Sequence, residues 1–174
     1  MSNIKALILC AGFGTRLRPL TLQKSKVMVS IDGKPVLAHL VDHLKSHGIK
    51  DIIVNVHHMY THIVESFGNS LIYSYENPLL GEQGTIERLQ PWLGERFVVM
   101  NGDTLTDVDI TEMIQISKED KRSVIFMDRK EDVYAGTKVL YPASDKLPKP
   151  YYRGSWQDMG THEGLEKARR FYEK

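Results

Sequence analysis

A continuous apolar run, Ala6 to Ala11, passes without a spacer into Gly12-Phe-Gly-Thr-Arg16, with Arg18 just beyond. A buried strand that feeds a glycine-rich loop narrows the choice of folds sharply. Glycines carry no Cβ, so the chain can turn tightly and aim backbone N–H groups at an anion. Arginine adds a permanent charge and a planar fork of donors suited to phosphate. The loop is therefore expected to hold something phosphorylated, against the plainer reading of a strand-to-helix turn with a solvated arginine. Two familiar phosphate loops do not fit. A Rossmann dinucleotide loop needs a third glycine where Leu17 stands, and the acidic residue near its usual distance, Asp32, falls in Ser30-Ile-Asp-Gly-Lys-Pro35, which reads as a turn. A Walker loop needs Ser or Thr after Gly-Lys, and here Pro35 follows Gly33-Lys34.

The 174 residues have the length of one domain with a substantial core. Charged residues make up 26% and the formal net charge is +1, so the chain lacks the electrostatic footprint of a nucleic-acid binder, while a single nucleotide stays open. Cys10, the one cysteine, lies inside the first apolar run, cannot form an intrachain disulfide and suits a reducing compartment. No apolar run approaches the ~18 residues of a membrane span. Met1-Ser-Asn-Ile-Lys5 leads into the first strand with no signal-peptide pattern. A cytoplasmic protein is expected.

Residues 17 to 31, with Pro19, Lys24 and Lys26, are expected to wrap over the loop. From Pro35 onward Val36, Leu37, Leu40, Val41 and Leu44 recur at helical spacing, proline suits a first helical position and Gly48 a stop, which predicts a helix over 35–47. Its His39, His43 and His47 share a face. With no carboxylate or thiolate beside them they read as a solvated face rather than a metal stripe. Asp51-Ile-Ile-Val-Asn-Val56 is β-branched and reads as a second buried strand, so the helix forms a right-handed crossover between parallel strands. His57, His58 and His62 follow where ligand-facing residues of open sheets collect, although loop histidines are more often polar surface. The alternation continues with a helix over about 60–67, a strand over Ser70–Tyr75, a helix over 85–93 and a strand over Phe97–Met100. A helix from Asp109, strands over Ser123–Met127 and Val133–Tyr141, and a closing helix over about 162–173 complete it. This pattern predicts an α/β fold with a mainly parallel sheet.

Phe97-Val-Val-Met100 runs into Asn101-Gly-Asp-Thr104. An aspartate delivered at the carboxyl end of a central strand, after a glycine that lets the backbone approach, is placed to hold a divalent ion. The other reading is an Asx-type turn opening the next helix.

Five pieces stand in order: Ala11-Gly-Phe-Gly-Thr-Arg-Leu-Arg-Pro-Leu-Thr21 with Lys26, Gly33-Lys-Pro-Val-Leu37, Leu80-Gly-Glu-Gln-Gly-Thr85, Asn101-Gly-Asp103 and Trp156-Gln-Asp-Met-Gly-Thr161. Together they resemble the sugar-1-phosphate nucleotidyltransferase family, the NDP-sugar pyrophosphorylases. The first motif is highly specific, the others moderately so, and they span nearly the whole chain. His57-His58 and the short C-terminal ending look most like the short enzymes that act on mannose, heptose or muramate 1-phosphates. The resemblance implies a Rossmann-like three-layer sandwich of the nucleotide-diphospho-sugar transferase type, with residues 1–174 as one domain. It implies transfer of NMP from an NTP to a sugar 1-phosphate, with Mg²⁺ as cofactor and an NDP-sugar and pyrophosphate as products. By the same resemblance Arg16 holds the triphosphate, Lys26 bridges the reacting phosphates, and Asp103 and Asp158 ligate Mg²⁺. Leu9, Ala11, Gly12, Gly14 and Thr15 would cradle the nucleotide, with Glu76 and Gly81 near its base.

The chain departs from that family in two places. Ser25 precedes Lys26 where members usually carry proline, and the interval from Asp103 to Asp158 is short. The reduced part, about 128–155, is where members carry a Glu-Lys-Pro segment that binds the sugar phosphate. Val133-Tyr-Ala-Gly136 resembles the strand after that segment, with Tyr134 where Asn is common, and Lys146 to Pro150 is a candidate replacement for the lysine. Three readings stay open: the transferase itself, a reduced nucleotide- or NDP-sugar-binding or regulatory module, and transfer to a small non-sugar phosphate such as phosphocholine. The base, the sugar and the state of assembly, monomer or homo-oligomer, are undecided; nucleic acid and membranes are not expected partners.

Overall fold

The computed structural model describes residues 4–172. Of the first apolar run, β1 (Lys5–Leu9) enters the sheet and the chain leaves it at Cys10. The wrapping segment folds as three 3-10 turns, at Thr15–Leu17, Leu20–Leu22 and Lys26–Met28. The expected turn follows as a hairpin of β2 (Ser30–Ile31) and β3 (Lys34–Pro35). Its tip, Asp32-Gly33, takes φ of 50° and 70°, the pair of positive angles that suits an Asp-Gly hairpin. Next come α1 (Val36–Ser46), β4 (Ile52–Val56), α2 (Thr61–Phe67), β5 (Ile72–Tyr75), α3 (Gly81–Leu93) and β6 (Phe97–Asn101). They are followed by β7 (Thr104–Thr106), α4 (Ile110–Asp120), β8 (Val124–Met127), β9 (Tyr134–Leu140), β10 (Lys149–Tyr151), β11 (Trp156–Asp158) and α5 (His162–Tyr172). Residue 173 of the predicted closing helix lies outside the described residues.

The main sheet has the order β10-β8-β9-β6-β1-β4-β5. Within it only β9 runs antiparallel to its neighbours, β6 and β8. Central strands are apolar on both faces, and their alternation assigns the layers. Ala6, Ile8, Val54, Val98 and Met100 pack with α1, α4 and α5, whereas Leu7, Ile53, Phe97 and Val99 pack with Leu89 and Leu93 of α3. This is the expected α/β three-layer sandwich. Each fully covered aliphatic side chain of this kind, such as Leu7, contributes about 2 kcal/mol relative to exposure.

Three expectations are corrected. The histidines of α1 are half-buried rather than solvated: His39 Nε2 lies 2.9 Å from the Ile31 carbonyl, His43 Nε2 3.0 Å from the Val108 carbonyl, and His47 Nδ1 2.8 Å from Thr111 Oγ1. Burial first, then the neighbouring His47, hold the pKa of His43 below its ordinary value. The stripe is a seam between α1, the hairpin and α4. The helix predicted over 85–93 starts at Gly81, because tertiary contacts outweigh the low propensity of Gly81 and Gly84. Lys146 to Pro150 stands far from the sheet's carboxyl edge: Lys146 Nζ donates to the Asp120 carbonyl and Lys149 pairs with the Asp120 carboxylate, beside the amino end of β8. It therefore cannot serve as the acceptor lysine.

Ser25 also has a structural consequence. Its φ of −58° is one that proline adopts without strain, and its hydroxyl is buried with no partner. Replacing it removes an unsatisfied oxygen and stiffens the unfolded chain. Ser25→Pro is expected to raise stability by about 1 kcal/mol in a chemical denaturation series.

Candidate active site

The carboxyl ends of β1, β4 and β6 open a cleft of about 250 Å³. Leu9, Ala11, Gly12, Lys26, Glu76, Gly81 and Asp103 all lie in its wall. Gly12 backs onto the lysine, since a Cβ there would stand 3.6 Å from Lys26 Cε. Gly14 and Thr15 lie outside the wall. Gly14 takes φ 64°, and a Cβ would come 2.8 Å from Lys26 Cβ, so glycine here lets the loop close down on the lysine. The Thr21 hydroxyl fixes that closure by donating to the Gly14 carbonyl at 2.7 Å.

Asp103 reaches the cleft by a close approach of backbones. Gly102 N–H donates to the Leu9 carbonyl at 3.0 Å, and a Cβ at Gly102 would sit 2.5 Å from that oxygen. Lys26 Nζ pairs with Asp103 Oδ2, each side chain 16% exposed. Asp158 is brought alongside by the antiparallel ladder of β7 and β11, which sets it opposite Thr104, and by the Met159 N–H donating to the Asp103 carbonyl at 2.9 Å. Gly160 is the empty point between them: a Cβ there would lie 2.9 Å from an Arg16 guanidinium nitrogen, 3.0 Å from Asp158 Oδ1 and 3.3 Å from Asp103 Oδ2. Arg16, Asp103 and Asp158 thus converge although far apart in sequence. Thr161 ends the motif by capping α5, its hydroxyl accepting from the Gly164 N–H at 3.0 Å.

Among the described residues no group of three or more His, Cys, Asp or Glu side chains is gathered as a closed metal cage. Asp158 Oδ1 accepts from the Gly160 N–H at 2.6 Å and Asp103 Oδ2 takes the Lys26 ammonium, leaving one oxygen of each carboxylate without a partner among the described residues. Two hard oxygens beside an open cleft are the donor type that a hard divalent ion such as Mg²⁺ takes.

Sequence reasoning missed Asn55. Its side chain, 5% exposed, accepts the Cys10 N–H at 2.7 Å and donates to Glu76 Oε1 at 3.1 Å. Glu76 is fully covered; its carboxylate also takes the Thr85 hydroxyl and, at 3.2 Å, the Leu80 N–H. The chain Cys10–Asn55–Glu76–Leu80 thereby ties the glycine loop to the segment that enters α3. Glu76 shapes the cleft by holding that segment. The signal was a lone amide in a β-branched run, since a buried polar group has to be partnered. Asn55→Ala strands the Cys10 N–H and is expected to cost about 2 kcal/mol in chemical denaturation.

The histidines after β4 support the loop as well. Phe13 packs edge-on against His57, ring centres 5.3 Å apart, and lies 5.5 Å from His58, while His57 Nδ1 lies 2.7 Å from the Glu76 carbonyl. Burial pushes the Cys10 thiol far above its ordinary pKa, so it stays an uncharged packing group.

Residues 5–135 match the model of the family described as nucleotidyl transferase. A UTP–glucose-1-phosphate uridylyltransferase of Synechocystis sp. is 36% identical over 134 residues, covering 67% of this chain and 34% of the relative. A D-glycero-alpha-D-manno-heptose 1-phosphate guanylyltransferase of Campylobacter jejuni is 36% identical over 115 residues, covering 63% of this chain and 52% of the relative. The chain thus spans about a third to a half of the length of these two relatives. The crystal structure of HddC from Yersinia pseudotuberculosis superposes with a TM-score of 0.82 at 23% identity, over 97% of this chain and 99% of that one, which supports the fold. With the glycine loop, the Asn101-Gly-Asp103 strand end and the three-layer sheet in place, the chain belongs to the nucleotidyl transferase family.

Proposed function

We propose that this chain is a sugar-1-phosphate nucleotidyltransferase, which moves NMP from an NTP to a sugar 1-phosphate and releases pyrophosphate. The observation that carries the reading is the convergence of Lys26, Arg16, Asp103 and Asp158 at the mouth of a glycine-loop cleft. The nucleophile is a phosphate oxygen already ionised near neutral pH, so no general base is needed. A sugar-1-phosphate oxygen forms the new bond to the α-phosphorus, and the bond to the β-phosphate bridging oxygen breaks. Two polyanions must be held together while charge builds on the leaving group, which calls for positioned cations. Lys26, clamped over Gly12 and Gly14, bridges the reacting phosphates, and Arg16 neutralises the triphosphate tail. Asp103 and Asp158 would hold Mg²⁺, which supplies Lewis-acid neutralisation of the phosphate oxygens.

The acceptor is assigned to a groove of about 490 Å³ bounded by Asp128, Arg129, Lys130, Tyr152, Arg153 and Trp156. Trp156, two positions before Asp158, donates its indole N–H to Asp128 Oδ2 at 2.7 Å and gives the groove an aromatic wall. Residues 128–155 then form a reduced acceptor subregion of one domain spanning residues 1–174. Among the described residues no helix is long and apolar enough to cross a membrane, and the buried Cys10 suits a cytoplasmic setting.

The test is a panel of the common NTPs against sugar 1-phosphates and phosphocholine with Mg²⁺, read as pyrophosphate release. One NTP with a sugar 1-phosphate is expected to release it. NTP binding without release from any pair would leave a binding module, and release with phosphocholine alone would change the acceptor class.

A further inference from the structure

The cleft wall carries three carboxylates, Glu76, Glu82 and Asp103, against one cation, Lys26. That balance has the wrong sign for a polyanion unless each carboxylate is compensated. Asp103 has Lys26, and Glu76 is enclosed by the donors of Asn55, Thr85 and Leu80. Glu82, in the first turn of α3, is compensated from another element: its Oε1 takes the ammonium of Lys138 on β9, 56 residues away. Lys138 sits opposite Val99 on β6, below the carboxyl edge of the sheet. Its Nζ lies 5.2 Å from the centre of the Tyr134 ring, four positions nearer that edge, so the side chain runs up the strand toward the cleft. The Lys138 side chain is 15% exposed and that of Glu82 40%. Glu82 stays open to solvent, so the pair matters through the sign of the charge it leaves in the wall: without the ammonium the carboxylate there has no counter-charge from β9.

We propose that Lys138 is a positioning and specificity residue: it cancels the charge of Glu82 so that the cleft admits a triphosphate, and it ties the start of α3 to β9. This rests on the reading of the cleft as an NTP site. The pair accounts for a carboxylate at Glu82 in the wall of a cleft for a polyanion.

Calorimetric titration with inorganic tripolyphosphate, the NTPs and the NMPs, each with Mg²⁺, tests the idea without needing turnover. K138M is expected to weaken tripolyphosphate and NTP binding about tenfold at low salt, with a smaller loss for NMP and a defect that shrinks as salt is added. Adding E82Q to K138M is expected to return affinity to within about twofold of the unaltered protein, because the charge has gone together with its partner. Unchanged triphosphate binding in K138M overturns the proposal. So does an equal loss for NMP and NTP, the mark of a purely structural effect, or a double variant as weak as K138M. If the unaltered protein binds neither tripolyphosphate nor any NTP, the nucleotide reading falls and this proposal with it; indifference of K138M alone removes only the role of Lys138.

Discussion

Lys26→Ala is expected to lower turnover about a thousandfold, the size found when a positioned transition-state donor is removed, while leaving the fold intact. Lys26 is the sole cation in the cleft wall among the described residues, and the loop is built around it: Gly12 lies beneath its Cε and Gly14 beneath its Cβ. The ammonium already stands at Asp103 Oδ2, beside the glycine loop. The loss should therefore fall on kcat, because the cation acts most where charge builds on the leaving pyrophosphate. Steady-state kinetics with the best pair from the substrate panel makes the measurement. A rate within threefold of the unaltered protein, with saturation unchanged, would remove Lys26 from the chemistry. Lys26→Arg should recover little, since a planar, broader guanidinium does not reproduce the compact ammonium that stands at Asp103 Oδ2.

Asp103→Asn is expected to reduce Mg²⁺-dependent turnover by about three orders of magnitude, corresponding to several kcal/mol of lost electrostatic stabilisation. The substitution keeps shape and removes charge. The fold should survive, because Gly102 and its bond to Leu9 set the local path and the Met159 N–H still finds the 103 carbonyl. The diagnostic is the metal dependence. Half-saturation for Mg²⁺ should move to higher concentration, while NTP affinity in a chelator should hold or improve, because a negative charge has left the wall. Asp158→Asn should show the same metal shift, since each carboxylate keeps one oxygen free of partners among the described residues. An unchanged Mg²⁺ requirement in both variants would show that the paired carboxylates organise the protein and hold no ion.

Local rules made much of this legible in the sequence. The apolar run and its glycines announced β1 and the loop, and Pro35 with the 36, 37, 40, 41, 44 spacing announced α1, because strand, turn and helix each rest there on contacts close in sequence. What stayed hidden was set at long range. The ladder of β7 and β11 is three residues per strand, too short for any period, yet it is what sets Asp158 beside Asp103. The link from Asn55 to Glu76 spans 21 positions and that from Lys138 to Glu82 spans 56, so neither leaves a local pattern. The histidines of α1 misled for the same reason, because their carbonyl and hydroxyl partners lie on other elements. Charge in the cleft was thus readable as residue types, and its compensation only as structure.

The most direct test of the central claim is a single turnover with NTP labelled at the α-phosphorus, excess protein, Mg²⁺ and the acceptor chosen from the panel. The site offers cations and carboxylates around Gly160 and an inert, buried Cys10 thiol, so transfer should be direct. All of the label is expected in the NDP-sugar, with unlabelled pyrophosphate released in equal amount and none bound to the protein. Label retained on the protein after denaturation, or recovered only as free NMP, would contradict the account.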